Sequence, residues 1–200
     1  MSDTNTNNNG LYKDIFFALT GQLAFAQTSE HLSFKSVPLN GTLDEYLSKM
    51  KKSGFSHLTT EDGIAVLKGD FASYKDCTVG VSILIQSDLV YKIAVIFPDK
   101  DTLSRLSTNY FDLKQMLTEK YGKPSDIVEK FDGYSQPKDD SSKMYEVKFD
   151  RCKYYSIWEI DKGEIELSIE HNNVTSCFVK LAYFEKINNI KIKSSAKDDL

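Results

Sequence analysis

Histidine and cysteine are the residue types in this chain that could carry metal or nucleophilic chemistry. The three histidines are His31, His57 and His171, and none has the second histidine four residues away that a zinc-binding helix uses. Glu170 and His171 are adjacent near a predicted hairpin tip and are the best candidate pair for a metal. Their ligand set is incomplete, and a solvated turn explains them more simply. The sequence therefore predicts no metal site and no cofactor.

The three cysteines, Cys77, Cys152 and Cys177, are an odd number without a CxxC spacing. In an oxidising compartment two of them could pair and leave one free. Alternatively they are small apolar residues buried in strands, which suits Cys177 because apolar residues follow it at every second position. A nucleophilic cysteine can also meet a histidine that is distant in sequence. A small hydrolase with Cys77 or Cys152 beside a histidine is therefore the alternative function.

A run of carboxylates raises the question of acid–base chemistry. Glu164, Glu166 and Glu170 alternate with apolar residues, so they lie on one face of a predicted strand. Paired carboxylates could act as acid and base, but the same alternation describes the solvated face of a half-buried strand. The chain also lacks the G-x-S-x-G, phosphate-loop and dinucleotide-binding motifs. A non-enzymatic protein is the simpler interpretation.

Large side chains crowd one predicted strand. Tyr154, Tyr155, Ile157 and Trp158 fall within five consecutive positions, so both faces of that strand carry bulky groups. One face can pack under a helix, and exposed aromatic residues on the other face often mark a binding surface. Alternatively, both faces are buried between two halves of the protein. We predict a binding site that includes Tyr154, Tyr155 and Trp158.

Composition limits the classes of function. The 200 residues are 40% hydrophobic, 27% charged and 12% aromatic, as in an ordinary globular protein. The net charge of -4 provides no clustered basic surface, which disfavours nucleic acid as a partner. No apolar run reaches the roughly 20 residues that a membrane-spanning helix needs, so the sequence predicts no transmembrane segment.

Residues 1–26 suggest export. Residues 1–10 are rich in Asn and Thr and are predicted to be disordered. The apolar run that starts at Ile15 ends in Ala24-Phe25-Ala26, a pattern that signal peptidase accepts, and cleavage there would leave Gln27 first. The segment before the run should be basic but holds only Lys13 against Asp3 and Asp14, so an amphipathic or buried N-terminal helix is the alternative. Export predicts a periplasmic or secreted protein.

The remaining chain divides into two halves with the same order of elements. Residues 27–100 contain a helix that begins at Thr42, with a capping box to Glu45, followed by short strands ending with Leu89–Phe97. Residues 101–186 contain a helix over Thr102–Tyr121 and then further strands. These later strands are predicted at Ile127–Phe131, Met144–Phe149, Lys153–Ile160, Glu164–Ile169 and Cys177–Phe184, and residues 187–200 form a C-terminal tail. Strands this close in sequence favour antiparallel pairing.

This order predicts an α+β fold of two similar halves, each a helix packed on an antiparallel β-meander, forming one shared or continuous sheet. Helices on a single face of such a sheet leave the other face open to water or to a partner. The order resembles the β-lactamase-inhibitor-protein-like tandem helix-plus-sheet architecture. The stretches FKSVPLNGTLDEYLSKMKKSGF and LTEKYGKPSD resemble uncharacterised secreted proteins of anaerobic gut bacteria. The resemblance covers most of residues 31–186 and implies a fold and an exported location, but transfers no site.

Together these observations predict an exported, non-enzymatic binding protein that uses its open sheet face. Its expected partner is another protein or a component of the cell envelope. The small hydrolase described above is one alternative. A purely structural subunit is another, and it would show a large apolar patch and a stable oligomer.

Overall fold

The computed structural model describes residues 30–133, 136–190 and 194 of the chain. The predicted signal segment, and all of the predicted tail except residues 187–190 and 194, lie outside the described residues. In chain order the elements are β1 (Ser33–Phe34), β2 (Val37–Pro38), α1 (Leu43–Lys52), β3 (Ser56–Glu61), β4 (Ile64–Phe71), β5 (Tyr74–Leu84), β6 (Leu89–Ile96), α2 (Leu103–Tyr121), β7 (Asp126–Phe131), α3 (Asp140–Lys148), β8 (Cys152–Ile160), β9 (Gly163–Asn172), β10 (Ser176–Glu185) and a short helix α4 at residues 186–190.

The helices begin at the capping residues that the sequence indicates. Thr42 and Glu45 form the predicted capping box of α1, in which each side chain accepts a hydrogen bond from the other residue's amide at 3.4 Å. Helix α2 begins after Thr102, whose hydroxyl accepts from the amide of Arg105. Asp140, at the start of α3, accepts two further amides of the first turn of α2. These carboxylate contacts fix α3 against α2.

Eight strands form one antiparallel sheet, in the order β3-β4-β5-β6-β10-β9-β8-β7. Strands β6 and β10 pair at its centre, where Val95 lies opposite Leu181. Strands β3 and β7 form the two edges, and β1 and β2 form a separate hairpin. The α+β class and the antiparallel sheet are therefore as predicted.

Helices α1, α2 and α3 lie on the same face of the sheet, and the hydrophobic core fills the space between them. Tyr183 of the central strand contacts Phe34 of the β1–β2 hairpin on this face. Tyr110 of α2 shares a buried 2.7 Å hydrogen bond with Ser156 of β8. Residues at every second position of the central strands, such as Val79, Val95, Leu181 and Leu167, are almost completely buried. Burial of this apolar surface is the main stabilising contribution.

The opposite side of the sheet, which we call the uncovered face, carries none of the helices α1, α2 and α3. Helix α4 lies at one margin of this face, where Lys186, Asn189 and Ile190 line a cleft with Glu159, Glu164 and Phe184. The side chains of the uncovered face occupy the alternate positions of the same strands. Partly exposed apolar residues are present in several strands of this face. They are Val66, Ile96, Phe178, Phe184, Tyr155 and Ile157.

One predicted strand is wrong. Residues 144–149 lie in and directly after helix α3, which spans Asp140–Lys148 and begins after its capping residue Asp139. Met144 and Val147, three positions apart, both face the core, as one face of a helix requires. Among the described residues, no helix combines the length and the apolar character that crossing a membrane requires.

Candidate functional site

The aromatic strand β8 divides its large side chains between the two faces of the sheet. Trp158 points toward the helices, is 1% exposed, and donates its indole N–H to the carbonyl of Gly122 at 2.9 Å. Tyr154 points the same way and packs edge-to-face on Tyr110 of α2. Trp158 is therefore a core residue beneath the end of α2 and is not available to an external partner. Tyr154 is half-buried in the same layer.

Tyr155 and Ile157 of β8 lie on the uncovered face. Tyr155 is opposite Val128 of β7, and its hydroxyl lies 3.4 Å from a carboxylate oxygen of Asp126. Ile157 is opposite Asp126 on one side and Glu166 on the other. Of the three predicted binding residues, Tyr155 alone lies on this face. Tyr155 and Ile157 are therefore the large side chains of β8 that lie on the uncovered face, and Tyr154 and Trp158 lie on the opposite face.

Carboxylates surround these two side chains. We call Asp126, Glu159, Glu164 and Glu166 the acidic group. Glu159 and Glu164 are directly opposite each other in the β8–β9 pair. Within the described ranges, no Lys, Arg or His nitrogen lies within 4.0 Å of the carboxylates of Asp126, Glu159 or Glu164. The fourth carboxylate, Glu166, has Lys180 at 4.0 Å, and that lysine is closer to Glu170 at 2.8 Å.

A row of small residues crosses the centre of the uncovered face. Gly80 of β5 is opposite Ala94 of β6, and Ala94 is opposite Ala182 of β10. Ala182 in turn is opposite Glu166 of the acidic group. We call Gly80, Ala94 and Ala182 the small-residue row. Larger side chains flank it on both sides, namely Ile96 and Lys180 on one and Lys92 and Phe184 on the other.

Sequence reasoning did not identify this row, although its parts were visible. Gly80 alternates with Val79 and Val81, so the sequence indicates that it lies opposite the apolar face of β5. The alignment of Gly80, Ala94 and Ala182 depends on the register of three strands. No local pattern encodes the pairing of β6 with β10, which are more than 80 residues apart in the chain.

The histidines do not converge. His57 bonds to Thr59 and Thr60 within its own edge strand, and His31 contacts the buried carboxylate of Glu185 at 3.1 Å. His171 lies at the end of β9, on the side of the sheet that carries the helices. The adjacent residue Glu170 points to the other face, where it bonds to Lys180.

The predicted pair of Glu170 and His171 therefore does not form a ligand set. Across residues 30–133 and 136–190, no group of three His, Cys, Asp or Glu side chains could hold a metal ion.

His171 is held by two acceptors. Its Nε2 lies 2.8 Å from a carboxylate oxygen of Asp150, and its Nδ1 lies 2.9 Å from the carbonyl oxygen of Asn173. Neither oxygen can donate, so both ring nitrogens carry a proton when both bonds form. The Asp150 carboxylate, and then the Asn173 carbonyl, raise the pKa of His171. The imidazole therefore has no free nitrogen to accept a proton from a nucleophile.

Cys152 lines the same cleft of about 280 Å³ as His171. Burial of the thiol, with smaller contributions from the charges of Asp132 and Glu146, raises the pKa of Cys152 to about 12. A nucleophilic cysteine needs the opposite shift, because the thiolate is the reactive form. Cys77 and Cys177 are buried in the core, and all three thiols are free. This agrees with the interpretation of Cys77 and Cys177 as small buried apolar residues.

Asn109 is a buried polar residue that the helical pattern did not single out. It is 3% exposed on the inner side of α2, and within the described residues neither atom of its amide has a hydrogen-bond partner. Both amide atoms are shielded from solvent, and Asn109 is one of the residues that line a cleft of about 460 Å³ beside α2.

Comparison with models of protein families, with curated proteins and with solved structures found no match for this chain. The fold and the surface chemistry described above are therefore the basis for the function proposed below.

Proposed function

We propose that this chain is an exported, non-enzymatic binding protein that recognises another protein through its uncovered face. The single observation that carries the proposal is the one-sided packing of α1, α2 and α3. That packing leaves Ile96, Phe184, Tyr155 and Ile157 partly exposed on the other side of the sheet. Contiguous apolar surface with polar surroundings is typical of protein-interaction sites.

The dimensions of the face suit a protein better than a small molecule. Eight strands at a spacing of about 4.8 Å span about 34 Å. With a usable strand length of about 20 Å, the area is about 700 Å². One partner in a standard protein–protein interface contributes about 800 Å². A small-molecule site would instead be a concave pocket that encloses most of its ligand.

We also propose that residues 27–100 and 101–186 are structural repeats of the β-lactamase-inhibitor-protein-like type. Helix α1 is followed by β3, β4, β5 and β6, and helix α2 is followed by β7, β8, β9 and β10, with α3 inserted after β7. The sheet order places β6 and β10 at the centre and β3 and β7 at the edges. Each strand therefore corresponds to the strand four positions later, which supports a pseudo-twofold relation between the halves.

Export is proposed from the sequence. The apolar run from Ile15 to Ala26, which ends in Ala24-Phe25-Ala26, lies outside the described residues, and its support is the signal-peptidase pattern. The proposed location is the periplasm or the exterior of the cell. The partner is accordingly expected there, either as a secreted protein or as an envelope protein.

The alternative of a small hydrolase has less support. The observation that favours a hydrolase is that Cys152 and His171 line the same cleft. The raised pKa of the thiol and the two occupied ring nitrogens of His171 both oppose thiolate formation. The chemistry of this cleft therefore favours a structural contact between Asp150 and His171.

The proposal is tested by quantitative affinity purification from the medium and the envelope fraction of the native host. The baits are the full chain, a Tyr155→Ala/Ile157→Ala variant, and Tyr145→Ala as the matched control. Tyr145 is an exposed tyrosine of α3, away from the uncovered face. We expect a protein that is retained by the wild-type and Tyr145→Ala baits and is depleted about tenfold on the double variant.

Two results would overturn the proposal. One is a retained partner that the double variant and the wild-type chain bind equally. The other is recovery of the full-length protein, with residues 1–26 intact, from the cytosol alone. The intact mass of the protein in each fraction shows whether residues 1–26 are still present.

A further inference from the structure

We infer that the cleft beside α2 binds a short peptide, about three residues long, through its free ammonium group, its backbone amides and its free carboxylate. The cleft has a volume of about 460 Å³ and is lined by α2, the first residue of β5 and the connection from β6 to α2. This volume is within the range of small-ligand sites. Because α2 lies on the side of the sheet that carries the helices, the inference goes beyond the function proposed for the uncovered face.

The first step concerns Asn109, which lines this cleft. The residue is 3% exposed, and neither the nitrogen nor the oxygen of its amide has a hydrogen-bond partner among the described residues. Such a group lowers stability, because it has lost its hydrogen bonds to water and gained none within the protein. Leucine at this position would join Leu106 and Leu113 on the inner side of α2. Packing therefore does not require an amide here, and a ligand accounts for it.

The second step concerns access to the amide. Both amide atoms of Asn109 are shielded from solvent, so the side chain must turn to meet a ligand in the cleft. Rotation about the terminal bond of an asparagine side chain meets a broad torsional minimum. The rotation also breaks no hydrogen bond to any residue of the described ranges. A ligand that supplies a donor and an acceptor therefore favours the rotated side chain.

The third step concerns the chemistry that matches this amide. Asparagine presents an acceptor oxygen and an NH₂ donor. In an extended peptide the N–H and the C=O of one residue point to the same side, as they do in the paired residues of an antiparallel sheet. The amide of Asn109 can accept from that N–H and donate to that C=O. A simple anion or cation would satisfy only one of the two amide atoms.

The fourth step concerns charge. Lys100 and Arg105 line the cleft near the start of α2, and Asp112 lines it further along the helix. Arg105 forms an exposed ion pair with Asp101 at 3.2 Å. Within the part of the chain that the structure describes, Lys100 and Asp112 have no ion-pair partner within 4.0 Å. One end of the cleft therefore offers cations to a ligand, and the other end offers a carboxylate.

The fifth step concerns length. Seven residues separate Arg105 from Asp112, which is about 10 Å along the axis of α2. An extended peptide chain spans about 3.3–3.6 Å per residue, so the ends of a tripeptide are also about 10 Å apart. The peptide carboxylate would meet Lys100 and Arg105, and the ammonium group would meet Asp112. Asn109 lies between these ends, where the peptide backbone would pass.

The inference is tested with a library of random tripeptides that carry free ends. The library is equilibrated with the full chain by dialysis, and mass spectrometry identifies the peptides that the protein retains. We expect a subset to be retained. The affinity of a retained peptide is then measured by isothermal titration calorimetry beside its N-acetylated and C-amidated forms. Each blocked form should bind at least about threefold more weakly, because each lacks one charged contact with the cleft.

Two variants locate the site. Asn109→Leu should weaken binding of the retained peptide at least about tenfold, and Asp112→Asn should weaken it at least about threefold. Gln115→Leu and Glu119→Gln are the matched controls, because they make equivalent changes at exposed positions of α2 outside the cleft. Both controls should bind the peptide as the wild-type chain does.

Stability distinguishes a ligand-binding role of Asn109 from a structural one. Asn109→Leu should unfold at a higher temperature than the wild-type chain, because an apolar side chain of similar size replaces an unpartnered buried amide. A lower unfolding temperature with peptide binding intact would indicate a structural role and overturn the inference. If Asn109→Leu does not fold, Asp112→Asn and the two blocked peptides still decide.

Three further results would overturn the inference. They are retention of no tripeptide, equal binding of the free peptide and either blocked form, and unchanged binding by Asp112→Asn. Equal binding of the N-acetylated form would mean that the carboxyl end of a longer chain suffices. A host protein that binds through Tyr155 and Ile157, without any tripeptide binding, would leave the proposed function standing while this inference fails.

Discussion

Glu159 and Glu164 lie directly opposite each other across the β8–β9 pair, on the uncovered face of the sheet. Cross-strand pairs of like charge lower stability, whereas opposite charges at the same positions would raise it. The pair stands beside Ile157 and Tyr155, the exposed apolar side chains of β8. A local cost to stability at an exposed apolar site is typical of functional surfaces.

The first prediction follows from this pair. Glu159→Gln should raise the free energy of unfolding by about 0.2–1 kcal/mol at low salt, because it removes the repulsion. The gain should shrink at an ionic strength near 1 M, where screening acts over about 3 Å. Urea unfolding of the variant and the wild-type chain, at low salt and near 1 M ionic strength, measures the difference in free energy of unfolding. Glu61→Gln, at the end of edge strand β3, is the control. An equal gain in stability from Glu61→Gln would contradict repulsion between Glu159 and Glu164 as the cause.

The second prediction concerns Trp158. Trp158→Ala should lower the free energy of unfolding by about 3–5 kcal/mol, because it leaves a large cavity in the core. Tyr155→Ala, three residues away in the same strand but on the uncovered face, should cost about 1 kcal/mol or less. Chemical denaturation measures both variants. Equal costs would contradict the placement of these residues on opposite faces.

The third prediction concerns the pH dependence of stability through His171. The pKa of His171 is raised in the folded state, so the stabilisation by Asp150 is fully present below the unfolded value of about 6.5. It is lost as the pH rises through the raised folded pKa. Asp150→Asn should therefore cost about 0.5 kcal/mol near pH 6 and less near pH 9, a small value because Asp150 is largely exposed.

Asparagine is a suitable replacement at this position because Asp150 has a φ of 57°, which asparagine also tolerates. Urea unfolding at several pH values measures the difference between the variant and the wild-type chain. A cost that grows with rising pH would contradict the contact between a protonated His171 and Asp150.

The fourth prediction concerns the reactivity of Cys152. With a pKa of about 12, its thiol should react with iodoacetamide near pH 8 roughly 30- to 100-fold more slowly than free cysteine. Peptide mapping by mass spectrometry after timed alkylation measures the rate at this site. Alkylation at the rate of free cysteine or faster would indicate an activated thiol and would revive the hydrolase alternative.

Local sequence patterns predicted the elements whose signals are short-range. The capping box of Thr42 and Glu45 located α1, and the alternation of Val79 and Val81 located β5. Helix α3 was missed because it is only nine residues long and its two core side chains, Met144 and Val147, are also compatible with a short strand. For such short apolar segments, packing against the neighbouring elements decides the structure.

The candidate site was only partly predictable. Alternation separates Tyr155 from Tyr154 and Trp158, but it does not say which side of the strand the helices cover. The covered side depends on long-range packing, seen in the contacts of Trp158 with Gly122 and of Tyr110 with Ser156. The cross-strand neighbours of Ile157 likewise follow from register, which a single sequence does not reveal.

Site-specific photo-crosslinking in the native host tests the central claim most directly, namely that the uncovered face binds a protein. Benzoylphenylalanine would replace Ile157 on this face and, in a second strain, the exposed Tyr145 of α3. The account predicts a discrete crosslinked protein adduct from position 157 in the exported fraction and none from position 145. An adduct from position 145 alone, or no adduct from position 157, would contradict it.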